Sequence, residues 1–135
     1  MRLVVDTNVL FSFFKRESVT RRLLTNFELI EPFTPSFCIE ELSEHKELIR
    51  AQSKLSDPEF EEVFDDLLVF VKVFSLSDYR TFLPAAKRIS PDPDDIDLFA
   101  LALKFGCPIW SNEKAFKNQS EVRVYATAEL LGLIS

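Results

Sequence analysis

Asp6 closes the apolar run Leu3-Val4-Val5, and Glu113 follows the run Pro108-Ile109-Trp110-Ser111. Between them stand Glu41 and four crowded aspartates, Asp92, Asp94, Asp95 and Asp97, ahead of the apolar stretch Leu98-Phe99-Ala100-Leu101-Ala102-Leu103. Simple structural uses exist for some of these residues. Asp6 or Asn8 would cap a following helix, and Asp92 before Pro93 is a good helix start whose acids suit the dipole. Capping accounts for one or two of the aspartates but not for four. Carboxylates packed this closely repel one another unless cations or donors compensate. The chain has one histidine, His45, and two cysteines, Cys38 and Cys107, flanked by apolar residues. That leaves an oxygen-only donor set, which suits Mg²⁺ or Mn²⁺ and not zinc or copper. The chemistry that calls for such a site is phosphate chemistry, in which a metal activates water and offsets phosphoryl charge.

The elements that would position these acids alternate between two periodicities. Residues 3–5 read as a buried strand of a parallel sheet. Residues 9–14 start a helix, and Ser18 caps a second one through Leu24. Residues 27–30 read as a second strand stopped by Glu31-Pro32. A helix is expected over 37–51, with Cys38, Leu42, His45 and Ile49 on one buried stripe. On it Glu41 flanks the stripe and points inward, Glu40 points outward, and His45 is a core or rim residue and not a ligand. Asp57 with Pro58 signals another helix, residues 70–74 a third strand, and Ser77-Asp78 a helix through Arg88. Gly106 ends the helix after the aspartates in a left-handed cap. Residues 108–111 and 122–125 complete the strands, and Thr127 caps a closing helix. Strand–helix alternation of this kind implies a parallel sheet covered on both faces, with right-handed crossovers. The carboxyl ends of its strands share one edge, where such sheets bind ligands. Asp6 and Glu113 open onto that edge, and the helices carrying Glu41 and Asp95 are expected there too.

At 135 residues, 47% hydrophobic and 28% charged, the sequence has the size and balance of one globular domain, 1–135. No stretch is apolar enough to span a bilayer and no secretory signal is visible, so a cytoplasmic protein with no membrane association is expected. The net charge of −6 argues against nucleic-acid binding through a broad basic face. It is compatible with a metal-dependent enzyme, because acidic ligands contribute to the count. Lys15, Arg16, Arg21 and Arg22 form one small basic cluster, the first place to look for phosphate contacts and otherwise a solvated helix end.

Four motifs in order resemble the PIN-domain family, the small metal-dependent ribonucleases that include VapC-like toxins of toxin–antitoxin pairs. They are Val4-Val5-Asp6-Thr7-Asn8, Ile39-Glu40-Glu41-Leu42, Asp92-Pro93-Asp94-Asp95 leading into Ala100-Leu101-Ala102-Leu103, and Ile109-Trp110-Ser111-Asn112-Glu113-Lys114-Ala115-Phe116. The resemblance implies a PIN-like, Rossmann-like α/β fold, a three-layer α/β/α sandwich around a parallel sheet of four to five strands. It implies Asp6, Glu41, Asp95 and Glu113 as catalytic metal ligands, with Asp97 or Asp92 as alternatives for the third acid. Asn8 and Ser111 would orient Asp6. Glu113 stands where the family usually has Asp; the extra methylene puts full occupancy of a second metal in question. The resemblance further implies hydrolysis of RNA to 3′-hydroxyl and 5′-phosphate ends, an antitoxin partner and a homodimer, for which the Phe-rich early helices are one candidate interface. The rival reading is a weakly active or inactive PIN-like binding or regulatory module acting through a protein partner. A haloacid-dehalogenase-type phosphohydrolase is disfavoured, since Asn8 replaces the second Asp that family requires.

Overall fold

The computed structural model describes residues 1–16 and 18–134. Five parallel strands form one sheet in the order β3-β2-β1-β4-β5: β1 Arg2–Val5, β2 Glu31–Pro35, β3 Lys72–Phe74, β4 Ile109–Trp110 and β5 Val124–Tyr125. The chain starts in the middle, builds outward through β2 and β3, then returns to the other side of β1. The adjacent strands β1 and β4 therefore flank a topological switch point, where α/β sheets open a crevice at their carboxyl ends. Leu3, Val4 and Val5 are fully buried, as an interior parallel strand demands.

The second strand lies four residues later than its pattern suggests. Residues 27–29 form a turn, and Phe27 is 79% exposed. The strand is Glu31–Pro35 itself, with prolines at both 32 and 35. Pro32 precedes the first residue paired with β3 (Phe33 with Lys72), and Pro35 lies past the last residue paired with β1 (Phe33 with Val4). The Pro32 nitrogen thus has no paired strand to donate to, and the Val5 carbonyl opposite Pro35 accepts instead from the Thr34 hydroxyl at 3.1 Å, so an interior strand tolerates both.

The expected helix over 37–51 is two helices, α3 Ser36–Glu44 and α4 Lys46–Ser53, parted at His45, whose φ of −100° and ψ of 20° leave the helical region. His45 is exposed and not on a buried stripe. Before these come α1 Thr7–Ser12 and α2 Val19–Leu24, the latter capped by Ser18 as expected. After them, α5 Asp57–Phe70 is capped not by Asp57 but by Ser56. The Ser56 hydroxyl accepts from the Glu59 N–H at 3.2 Å and the Glu59 carboxylate accepts from the Ser56 N–H at 2.9 Å, a reciprocal capping box. Ser56→Ala is expected to lower stability by about 1 kcal/mol, read as a shift of the urea midpoint without a change in slope.

Short helices α6 Leu76–Tyr79 and α7 Leu83–Ile89 lead to α8 Ile96–Phe105, which ends at Gly106 with φ of 58°. Leu98 through Ala102 are all buried, because α8 lies against β1, β2 and β4 and is covered outside by α6 and α7. A helix buried on both sides must be apolar nearly all round. Thr127–Ile134 forms α9, and the buried Trp110 on β4 donates its ring N–H to the Thr127 hydroxyl at 3.0 Å.

Much of the Phe content is core. Phe14 stacks on Phe60 at 5.0 Å, and Phe33, Phe74 and Phe105 form a three-ring cluster with centroids 4.8–4.9 Å apart. Phe13 and Phe14 are 2% and 0% exposed, so these two phenylalanines fill the interior. Both cysteines are buried free thiols. Among the described residues no helix is long and apolar enough to cross a membrane.

Candidate active site

Strand β1 ends by delivering Asp6 into the switch-point crevice, and β4 holds it there. The Asp6 N–H donates to the Trp110 carbonyl at 3.1 Å. Asp6 occupies the residue before α1, yet its side chain makes no capping hydrogen bond. Its Oδ2 instead accepts from the buried Ser111 hydroxyl at 2.8 Å, and that same oxygen of Ser111 accepts from the Glu113 N–H at 3.0 Å. Ser111 therefore ties the end of β1 to the loop after β4. Asp6 is only 5% exposed. Burial raises its pKa above the ordinary 3.8, the Ser111 bond and the N–H groups of Thr7 and Asn8 oppose that, and repulsion from Glu113 adds to it.

Asp95 reaches the crevice from the start of α8. It is half-buried and makes no capping bond of its own. Its pKa is pushed up to about 7, first by burial and then by repulsion from Asp6, Asp92, Asp94 and Glu113. The neighbouring aspartates divide the other duties. Asp92 is the cap, accepting from the Asp94 N–H at 2.8 Å before the 3-10 turn Pro93–Asp95. Asp97 accepts a hydrogen bond from the Tyr79 hydroxyl, a link between α8 and α6, and lines neither cavity beside Asp6. Asp97, the alternative third acid, is thus tied to Tyr79 and stands apart from the two cavities.

Glu41, on α3, accepts from the Thr7 hydroxyl at 2.8 Å. Thr7 is a site residue that the sequence reading passed over; the available signal was a hydroxyl directly after a strand-end aspartate. Asn8 meets Asp6 through its backbone N–H and not through its side chain. Its side-chain amide donates to Glu113 Oε1 at 3.3 Å, and Glu113 is exposed at the rim.

Two adjoining cavities share Asp6, Asn8 and Asp95. One, of about 400 Å³, reaches Glu41 and Asp94; the other, of about 220 Å³, reaches Asp92 and Glu113. Among the described residues, no three Asp, Glu, His or Cys side chains are gathered tightly enough to hold a metal ion as they stand. The donor chemistry nevertheless fits a hard cation. Every acid around the crevice offers oxygen, and the pKa values of Asp6 and Asp95 are raised first by burial and then by the neighbouring acids.

The basic cluster does not join the acids. Arg16 pairs with Glu59 at 2.9 Å. Arg21 donates Nε–H to the Phe13 carbonyl at 2.6 Å and lies over the Phe13 ring. Lys15 and Arg22 are exposed, and Lys15 with Arg16 and Lys54 lines a separate hollow past the far end of α1.

The family model for the PIN domain matches residues 4–127. A crystal structure of VapBC2 from Rickettsia felis bound to a DNA fragment from their promoter contains a chain similar to this one, with a TM-score of 0.64 at 14% identity, covering 93% of this chain and 98% of that one. At that identity the likeness bears on fold alone, and it agrees with the parallel α/β architecture. No curated protein matches the sequence.

Proposed function

Since the chain belongs to the PIN-domain family, whose members are generally nucleases, we propose that it is a divalent-metal-dependent ribonuclease working at the Asp6–Asp95 crevice. The observation that carries this reading is the pair of aspartates, one buried and one half-buried, that line both cavities at the switch point, with pKa values raised by burial and by neighbouring acids. Asp6, Glu41 and Asp95 would hold Mg²⁺ or Mn²⁺, with Glu113 contributing from the rim. Such an ion supplies an activated water and offsets charge on the phosphoryl oxygens.

The protein's own residues do the positioning. Ser111 fixes the Asp6 carboxylate by donating to Oδ2, Thr7 fixes Glu41 by donating to Oε1, and Asn8 tethers Glu113. Preset ligands of this kind spare the reaction the cost of organising them. The Rickettsia felis VapBC2 assembly supports pairing with an antitoxin protein.

A non-catalytic module is the second reading, favoured by the exposed Glu113 at a place where the family usually has Asp. Cleavage of a mixed single-stranded RNA pool separates the two. Cutting that requires Mn²⁺ or Mg²⁺, stops in EDTA and leaves 5′-phosphate ends is the expected result. Calorimetric Mn²⁺ binding without cleavage of any RNA would select the module.

A further inference from the structure

The larger cavity is not acidic throughout, and its remaining wall has its own chemistry. Glu41 sits on α3 with Phe37 four residues before it and His45 four residues after it, so the three share one helix face. Across from them α1 presents Thr7 and, four residues on, Phe11. Two rungs connect the helices: the Thr7–Glu41 hydrogen bond at 2.8 Å, and an edge-to-face contact of the Phe11 and His45 rings at 5.9 Å. The aromatic rung thus lies one helical turn, about 5.4 Å, beyond the acidic one. Phe11 and Phe37 are half-buried, packed on the core behind and lining the cavity in front, and His45 is exposed where the break between α3 and α4 leaves it.

From this arrangement we infer that the wall of Phe11, Phe37 and His45 is a stacking subsite for one unpaired nucleobase of the RNA, next to the scissile phosphate. The inference rests on the nuclease reading for the identity of its substrate. Flat rings offer every base a π-face and carry little hydrogen-bond information, so the subsite is tolerant of base identity. A base inside a duplex has both faces covered by its neighbours and cannot reach the wall. The site therefore selects single-stranded segments, loops and ends over double helix.

The test is equilibrium binding of a fluorescein-labelled RNA octanucleotide in Ca²⁺, a hard oxygen-seeking ion, read by anisotropy. Phe11→Leu keeps apolar volume and removes the ring; His45→Ala alters an exposed residue and leaves the core alone; a thermal melt of each verifies folding. Each is expected to weaken Kd about five- to tenfold. The wild type should show the same loss on an octanucleotide carrying one abasic position, and should bind the matching duplex at least about tenfold more weakly. Phe27→Leu, at the 79% exposed aromatic away from the crevice, serves as the control and should bind as wild type does. Affinities within twofold of wild type for both wall variants, or a duplex bound as well as the single strand, would overturn the subsite. A protein that binds through the wall yet cuts no RNA keeps the subsite and loses the nuclease reading. One that cuts RNA with both wall variants unaffected does the reverse.

Discussion

Asp6→Asn is expected to lower RNA cleavage by a factor on the order of 10³ or more, while its melting temperature in EDTA stays at or above that of the wild type. The two halves of this result have one cause. Asp6 is 5% exposed, and burial holds its pKa above the ordinary value, so keeping it ionised opposes folding. Asn has the same shape, carries no charge, and its side-chain oxygen can still accept from the Ser111 hydroxyl that now bonds Oδ2. The fold thus loses an unfavourable charge and keeps its tie between β1 and the loop after β4. Catalysis loses the most buried anionic oxygen facing the crevice, and with it the strongest attraction for a cation. A purely structural Asp6 would show the opposite pattern: reduced stability, and cleavage reduced only as far as folding is. Metal-dependent cleavage rates beside thermal melts of both proteins decide between them.

In EDTA, stability is expected to fall as pH rises from 5 to 8, and Mn²⁺ should reverse the trend. Asp95 has an ordinary value of 3.8 and a folded value of about 7. Between those values the folded chain binds more protons than the unfolded one, so ΔG of unfolding declines as pH climbs through the window, and the deficit is complete above about 7. Asp6 is shifted in the same direction. Because Asp95 is only half-buried, solvent screening reduces the effect, leaving about 1–2 kcal/mol, or roughly 3–8 °C in melting temperature for a domain of this size. The carboxylates pulled below their ordinary values, Asp57 beside Lys46, Glu59 in its capping box and Glu129 beside Lys117, lose their contribution only at more acid pH, so the window stays clear of them. A cation binds the ionised carboxylates, so stabilisation by Mn²⁺ should grow with pH across the same range. Melting curves at pH 5, 6, 7 and 8, with EDTA or with Mn²⁺, test the sign directly. A flat profile in EDTA would mean that Asp95 is not held among uncompensated acids.

What could be read from the linear chain follows the range of the interactions involved. The strand before Asp6 was legible because an uninterrupted apolar run is a local property, and so was the buried character of α8. Ser18 and Gly106 were legible as caps for the same reason. The second strand was not. Pro32 and Pro35 argue against a strand unless one knows which edge each nitrogen faces, and that is set by β1 and β3. The aspartates from 92 to 97 are all plausible first-turn acids by pattern. Tyr79, eighteen residues earlier, is what turns Asp97 aside, and only packing brings it there. The basic cluster was visible as composition, but Arg16 is occupied by Glu59, 43 residues on. Thr7 with Glu41 and Asn8 with Glu113 are likewise meetings of distant segments.

The bond between Ser111 and Asp6 joins residues 105 positions apart. During synthesis Asp6 emerges well before its partner strand β4 and the Ser111–Glu113 segment. A nascent chain can pair β1 with β2 and β3 early and still carry Asp6 at an open sheet edge, without the serine that orients it or the acid that completes the rim. Closing so long a loop also makes this contact among the slower ones to form. Assembly of the crevice thus waits on β4, and the docking of that strand beside β1 is the step that turns an exposed carboxylate into an oriented one.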